Sequence, residues 1–82
     1  MTDNHITLLF IGAGPSQMEG IIKAKNMGYR VISVDEDPNS VGFKFSDRYF
    51  IMNIFEHEKI IEIAREQNVN AAISIASDIC LE

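Results

Sequence analysis

The sequence predicts an α/β fold: a Rossmann-like, three-layer α/β/α half with four parallel strands in the order 3-2-1-4. Three observations predict it. Short apolar runs alternate with amphipathic stretches in the order β-α-β-loop-β-α-β, and that alternation requires a parallel sheet with helices on its faces. The first apolar run stops at a glycine-rich turn that leads directly into a helical pattern. At 82 residues the chain has room for one small domain and no second. With right-handed crossovers, the first helix covers one face of the sheet and the second covers the other.

Each element follows from its residues. Ile6 to Ile11 is a continuous apolar run ended by Gly12, as expected of a strand buried on both faces. Gln17 to Met27 places Met18, Ile21, Ile22 and Ala24 on one side with lysines between, an amphipathic helix closed by Gly28. Tyr29 to Asp35 is rich in β-branched residues and forms the second strand. Glu36 to Asp47 holds Asp37-Pro38-Asn39-Ser40 and Gly42, turn chemistry without a helical period, and reads as loop. Arg48 to Met52 is the third strand. Asn53 stands three residues before Glu56, a capping box for a second helix whose apolar face is Ile60, Ile61, Ile63 and Ala64. Ala71 to Ala76 is a small, apolar fourth strand, and Ser77-Asp78 resembles the cap of a third helix before which the chain stops.

Composition narrows the function. Seven Lys and Arg against twelve Asp and Glu give a net charge of −5, and the basic residues are scattered singly. Nucleic-acid partners need a concentrated positive footprint, so none is expected. No apolar run approaches the ~20 residues of a membrane span, and the opening residues lack a signal peptide's basic region. A cytoplasmic protein with no membrane partner is the expectation. The single cysteine, Cys80, has no partner for an internal disulfide.

In open α/β sheets the ligand crevice lies beyond the carboxyl ends of the strands, where the winding reverses. Here that is between strands one and four, lined by Gly12 to Gln17 on one side and Ala76 to Asp78 on the other. Gly12-Ala13-Gly14 sits where a backbone turns tightly and presents free N–H groups to an anion at a helix start. Asp35 lies about 20 residues beyond the glycines, the spacing at which a Rossmann carboxylate meets a ribose hydroxyl. A dinucleotide fingerprint also needs a third glycine, and this chain has Gln17 there. Two readings stay open: a dinucleotide module for NAD or FAD, or a tight turn whose Asp35 caps the following loop. His5 and His57 have no second ligand nearby, and Asp35, Glu36 and Asp37 diverge on a turn, so no metal site is expected. The methionines and Phe43, Phe45, Phe50 and Phe55 are read as packing groups, with Phe43 and Phe45 closing the loop over the first helix.

Taken in order, Ile11-Gly-Ala-Gly-Pro-Ser-Gln17, Lys25-Asn-Met-Gly-Tyr-Arg-Val-Ile-Ser-Val-Asp35, Asp37-Pro38-Asn39, Ser46-Asp47-Arg48-Tyr49 and Ser77-Asp78 resemble the amino-terminal (pre-ATP-grasp) domain of ATP-grasp ligases. That family includes biotin carboxylase, the carbamoyl-phosphate synthetase large chain and the ATPase subunit of phosphoribosylaminoimidazole carboxylase. The resemblance spans nearly the whole chain and implies an ATP-dependent carboxylate–amine ligase working through an acyl-phosphate with ATP and Mg²⁺. It also implies that ATP and metal are held by later domains, so that this piece binds no cofactor, carries no catalytic residue and is inactive alone. Gly12, Gly14, Pro15, Gln17, Asp35, Ser77 and Asp78 would line the small-molecule substrate side of the cleft. Residues 1–80 are then the domain, and Leu81-Glu82 match what a cloning site leaves. A stand-alone interaction domain is the remaining rival. As a first piece of a larger protein, the domain would expose the edge of its fourth strand and self-associate there.

Overall fold

The computed structural model of the chain describes residues 6–74. Strands β1 (Thr7–Ile11), β2 (Arg30–Asp35), β3 (Arg48–Ile51) and β4 (Ala71–Ile73) form one sheet in the order β3-β2-β1-β4, with every neighbouring pair parallel. This is the expected order. Helix α1 (Pro15–Asn26) connects β1 to β2, and α2 (His57–Glu66) connects β3 to β4.

The pleat explains why β1 and β2 read as unbroken apolar runs. Leu8 and Phe10 of β1 and Val31 of β2 turn to one face, where they meet Ile21 and Ala24 of α1. Leu9 and Ile11, with Ile32 and Val34, turn to the other face and meet Ile60 and Ile63 of α2. Alternate residues of a strand point to opposite faces, so a helix on each side requires an apolar residue at nearly every position. Ser33 is the exception in β2. Fully buried, it shares a 2.7 Å hydrogen bond with the Ser46 hydroxyl, which donates to the Gly42 carbonyl at 2.9 Å.

β1 begins at Thr7 rather than Ile6, β2 at Arg30 rather than Tyr29, and β3 ends at Ile51 rather than Met52; larger departures fall elsewhere. α1 begins at Pro15 rather than Gln17, because proline at the first helical position has no N–H to lose and its φ already suits the helix. The stretch read as loop contains a 3-10 helix (Val41–Phe45), too short to show a period in the sequence. It turns Phe43 onto α1, where the ring is buried and stacks on Tyr49 at 4.2 Å, while Phe45 stays exposed. α2 begins at His57 with Glu56 at its N-cap, not in a box with Asn53. The Asn53 side chain instead accepts the Phe55 N–H at 2.8 Å, closing a local turn that competes with capping. β4 is described to Ile73; Ala76, Ser77, Asp78 and Cys80 lie outside the described residues.

Besides Phe45, two more expected packing groups do not pack: Phe55 is 73% and Met27 61% exposed, since one sits in the turn before α2 and the other at the C-cap of α1. Side-chain ties secure the amino-terminal end of the sheet. Asn70 Oδ1 accepts the Thr7 N–H at 2.8 Å, Arg30 donates to Gln67 Oε1 at 2.9 Å, and Asp47 accepts both the Lys25 ammonium and the Val31 N–H. The opposite, carboxyl end carries the glycine loop.

Candidate functional site

The loop at the end of β1 is held by the chain itself. Gly12 has φ +108°, a left-handed conformation that only glycine adopts at ease, and its N–H donates to the Val34 carbonyl at 2.7 Å. The Ala13 N–H donates to Asp35 Oδ2 at 2.7 Å, and the Gly14 N–H to Gln17 Oε1 at 2.9 Å. All three amides expected to be free for an anion therefore have protein acceptors. Gln17 sits at the third position of α1 and reaches back to its N-cap, the reciprocal half of a capping box. Its carboxamide lies directly over Gly12, where an added Cβ would stand 3.1 Å from Nε2.

Gly14 differs from Gly12. Its φ of −77° and ψ of −170° suit any residue, and a Cβ there would stand 3.5 Å from Gln17 Oε1, an ordinary contact. The fold does not require glycine at this position; a bare backbone beside the end of β1 leaves space for a ligand. Pro15 and Ser16 are exposed at the same rim.

Asp35 ends β2 and binds in two directions. Oδ2 takes the Ala13 amide and Oδ1 takes the Asp37 amide at 3.0 Å. Partial burial pushes its carboxyl up, but the amides of Asp37, Ala13 and Glu36 and the Ser40 hydroxyl together outweigh that and hold it below the usual aspartate value. Gly42 completes the arrangement from the 3-10 helix, its N–H donating to the Ala13 carbonyl at 2.7 Å. Sequence reasoning missed Ser40 and Gly42. Both read as turn punctuation, and nothing in their spacing points to Ala13.

The structure brings Gly12, Gly14, Pro15, Gln17 and Asp35 together at one end of the sheet; Ser77 and Asp78 lie outside the described residues. Among the described residues no three His, Cys, Asp or Glu side chains could jointly hold a metal ion. With the loop amides engaged as well, these residues do not fit Mg²⁺ or a row of nucleotide phosphates, and a dinucleotide pyrophosphate would have to displace Gln17. No helix among them is long and apolar enough to cross a membrane.

No family model matches the chain. Among curated proteins it is 30% identical over 70 residues to the formate-dependent phosphoribosylglycinamide formyltransferase of Methanocella arvoryzae, covering 85% of this chain and 16% of that one. The same enzyme of Wolinella succinogenes is 26% identical over 81 residues, 99% of this chain and 21% of the other. The phosphoribosylglycinamide synthetase of Anaerococcus prevotii superposes with a TM-score of 0.69 at 27% identity, over 87% of this chain and 18% of that one. The chain resembles the amino-terminal domain of ATP-grasp ligases in both sequence and fold. N5-carboxyaminoimidazole synthetase of Staphylococcus aureus, solved with ADP, shares the fold of this chain at a TM-score of 0.76 and 16% identity, over 84% of this chain and 18% of the other. The chain spans 16% to 21% of the length of the two curated relatives described.

Proposed function

We propose that this chain is the substrate-side amino-terminal domain of an ATP-dependent ligase whose acceptor is an amine that carries a 5-phosphoribosyl group, such as phosphoribosylglycinamide. The observation that carries the reading is the glycine loop at the end of β1: its amides are tied to Asp35 and Gln17, which closes it as a phosphate cradle, while only Gln17 Oε1 lies within 4 Å of the place a Cβ on Gly14 would take, so a small molecule can approach the loop backbone there beside the exposed Pro15. Gly12, Gly14, Pro15 and Gln17 form one wall of the site with Asp35 bracing the loop behind it, and Ser77-Asp78 at the end of the fourth strand would form the facing one. The acceptor class rests on the names of the relatives, a phosphoribosylglycinamide formyltransferase and a phosphoribosylglycinamide synthetase, and it is favoured over the carbamoyl-phosphate synthetase or biotin-carboxylase type that the sequence motifs suggest. ATP supplies the phosphoryl group that activates a carboxylate in such ligases, and both ATP and Mg²⁺ are held mainly by residues other than those described. The domain alone then performs no ligation, and its setting is cytoplasmic.

Thermal denaturation tests the reading, because a ligand that binds only the folded state raises its apparent stability. Phosphoribosylglycinamide is expected to raise Tm with increasing concentration, and ATP, NAD and FAD to leave it unchanged. A larger rise with NAD or FAD would replace this reading with the dinucleotide module.

A further inference from the structure

The Asp35 carboxylate and the Gly42 N–H grip one peptide unit from its two sides: Oδ2 accepts the Ala13 N–H at 2.7 Å, and the Gly42 N–H donates to the Ala13 carbonyl at 2.7 Å. Ala13 is wholly buried between them. The grip has no slack, since a Cβ on Gly42 would stand 2.7 Å from the Ala13 oxygen and 2.9 Å from Ile21 Cδ1. Asp35 also spends its second oxygen on the Asp37 N–H, which fixes the start of the segment that carries Gly42. From these contacts we infer that Asp35 is a positioning residue: it sets the glycine loop against the 36–45 segment and does not itself contact the ligand. Its place at the end of β2, where Rossmann folds offer a carboxylate to a ribose, is used to hold the backbone of the loop. The inference rests on the proposed substrate reading only for the ligand, because the grip on Ala13 stands on the contacts alone.

Two N–H donors on two separate oxygens need a carboxylate. An asparagine offers one carbonyl oxygen, so Asp35→Asn keeps the shape and must turn its NH₂ toward one of the two amides. Among the described residues the ion pairs are Lys25–Asp47 and Lys59–Glu56, so no cation confuses the titration of Asp35; its charged neighbours along the chain are Glu36 and Asp37.

The test uses ¹⁵N-labelled protein. In the wild type, the amide signal of Ala13 should titrate with a midpoint below the ordinary aspartate range, and the Asp37 amide should share that step in addition to any response to its own side chain and Glu36. In Asp35→Asn that shared step should vanish and exchange at Ala13 should quicken about tenfold or more, the loss of roughly one charge-assisted bond. Gly42→Ala should shift the signals at 12–14 while keeping the titration. Lys25→Met, at the far end of the sheet, should leave both unchanged. With phosphoribosylglycinamide as the probe, Asp35→Asn and Gly42→Ala should each weaken binding about tenfold, with the same set of amides still responding. An Ala13 amide that ignores the Asp35 titration overturns the inference, as does an Asp35→Asn protein that binds the probe like the wild type. A wild type that shows the shared titration but no binding would support the positioning role and sink the substrate reading, so the two failures are distinct.

Discussion

Asp47 holds two groups at the amino-terminal end of the sheet: the Lys25 ammonium, 2.8 Å from each of its oxygens, and the Val31 N–H at 2.7 Å. Burial pushes its carboxyl up, but the Lys25 and Val31 hydrogen bonds and the charges of Lys25 and Arg30 outweigh that and leave it below the ordinary aspartate value. Asp35 is lowered as well, by amides and the Ser40 hydroxyl against a similar burial penalty. A carboxyl lowered on folding stabilises the native state above its unfolded pKa of ~3.9, and that contribution disappears as pH falls through the folded value. Stability from these two acids should therefore be level from pH 7 to about 5 and fall as pH drops below about 4. Asp47→Asn should cost about 1 kcal/mol at pH 7, mostly through the Val31 amide, because an ion pair as exposed as Lys25–Asp47 contributes little in water. Urea unfolding across pH 2–7 checks this. The variant should show a shallower acid limb, and a limb parallel to the wild type would count against the assignment.

Both helices end in left-handed residues, and the two ends differ in chemistry. After α1, Gly28 has φ +90° with open space around the position of a Cβ; after α2, Asn68 takes φ +56° in the corresponding role. Glycine enters this region freely and asparagine only tolerably, so Asn68→Gly should raise stability by about 0.5 kcal/mol and Gly28→Ala lower it by about 1 kcal/mol. Denaturant midpoints of the two variants measure both signs. These ends also show what could be read in the sequence and what could not. Gly28 closes α1 as its sequence position indicates, because a glycine after an amphipathic run has a single local use. Asn53 misleads, because its side chain has two local uses: it accepts the Phe55 amide, and the Glu56 amide goes to the Asn53 backbone carbonyl. The strand order was legible for a stronger reason: short, unbroken apolar runs with helices between them leave few right-handed topologies. At the candidate site, Gly12 and the nearness of Gln17 to the loop were legible, being local. The partnership of Ala13 with Asp35 and Gly42 joins distant residues through backbone groups, which leave no mark on residue type.

At the scale of the whole molecule, a parallel sheet buried on both faces still has two edges. Among the described residues β3 pairs only with β2 and β4 only with β1. The β3 edge is guarded: Arg48 is exposed and its guanidinium lies 5.6 Å from the centre of the Phe50 ring. β4 has no such guard, with Ala71 and Ala72 exposed and no charge among its three residues. Unpaired N–H and C=O groups on a flat, uncharged strand invite pairing with another chain, and lysine on such an edge is a natural deterrent. We propose that a second copy of this chain pairs at β4. The net charge of −5 opposes approach at low salt, so association should strengthen as salt screens the repulsion. Light scattering should show the mean mass rising with protein concentration, more steeply at 0.5 M salt than at 0.05 M. Ala71→Lys should keep the protein monomeric at both salt concentrations without moving its thermal midpoint at low concentration. A wild type that stays monomeric at high concentration in 0.5 M salt would show that the β4 edge is protected in solution and that exposed alanines alone do not bring a second chain to it.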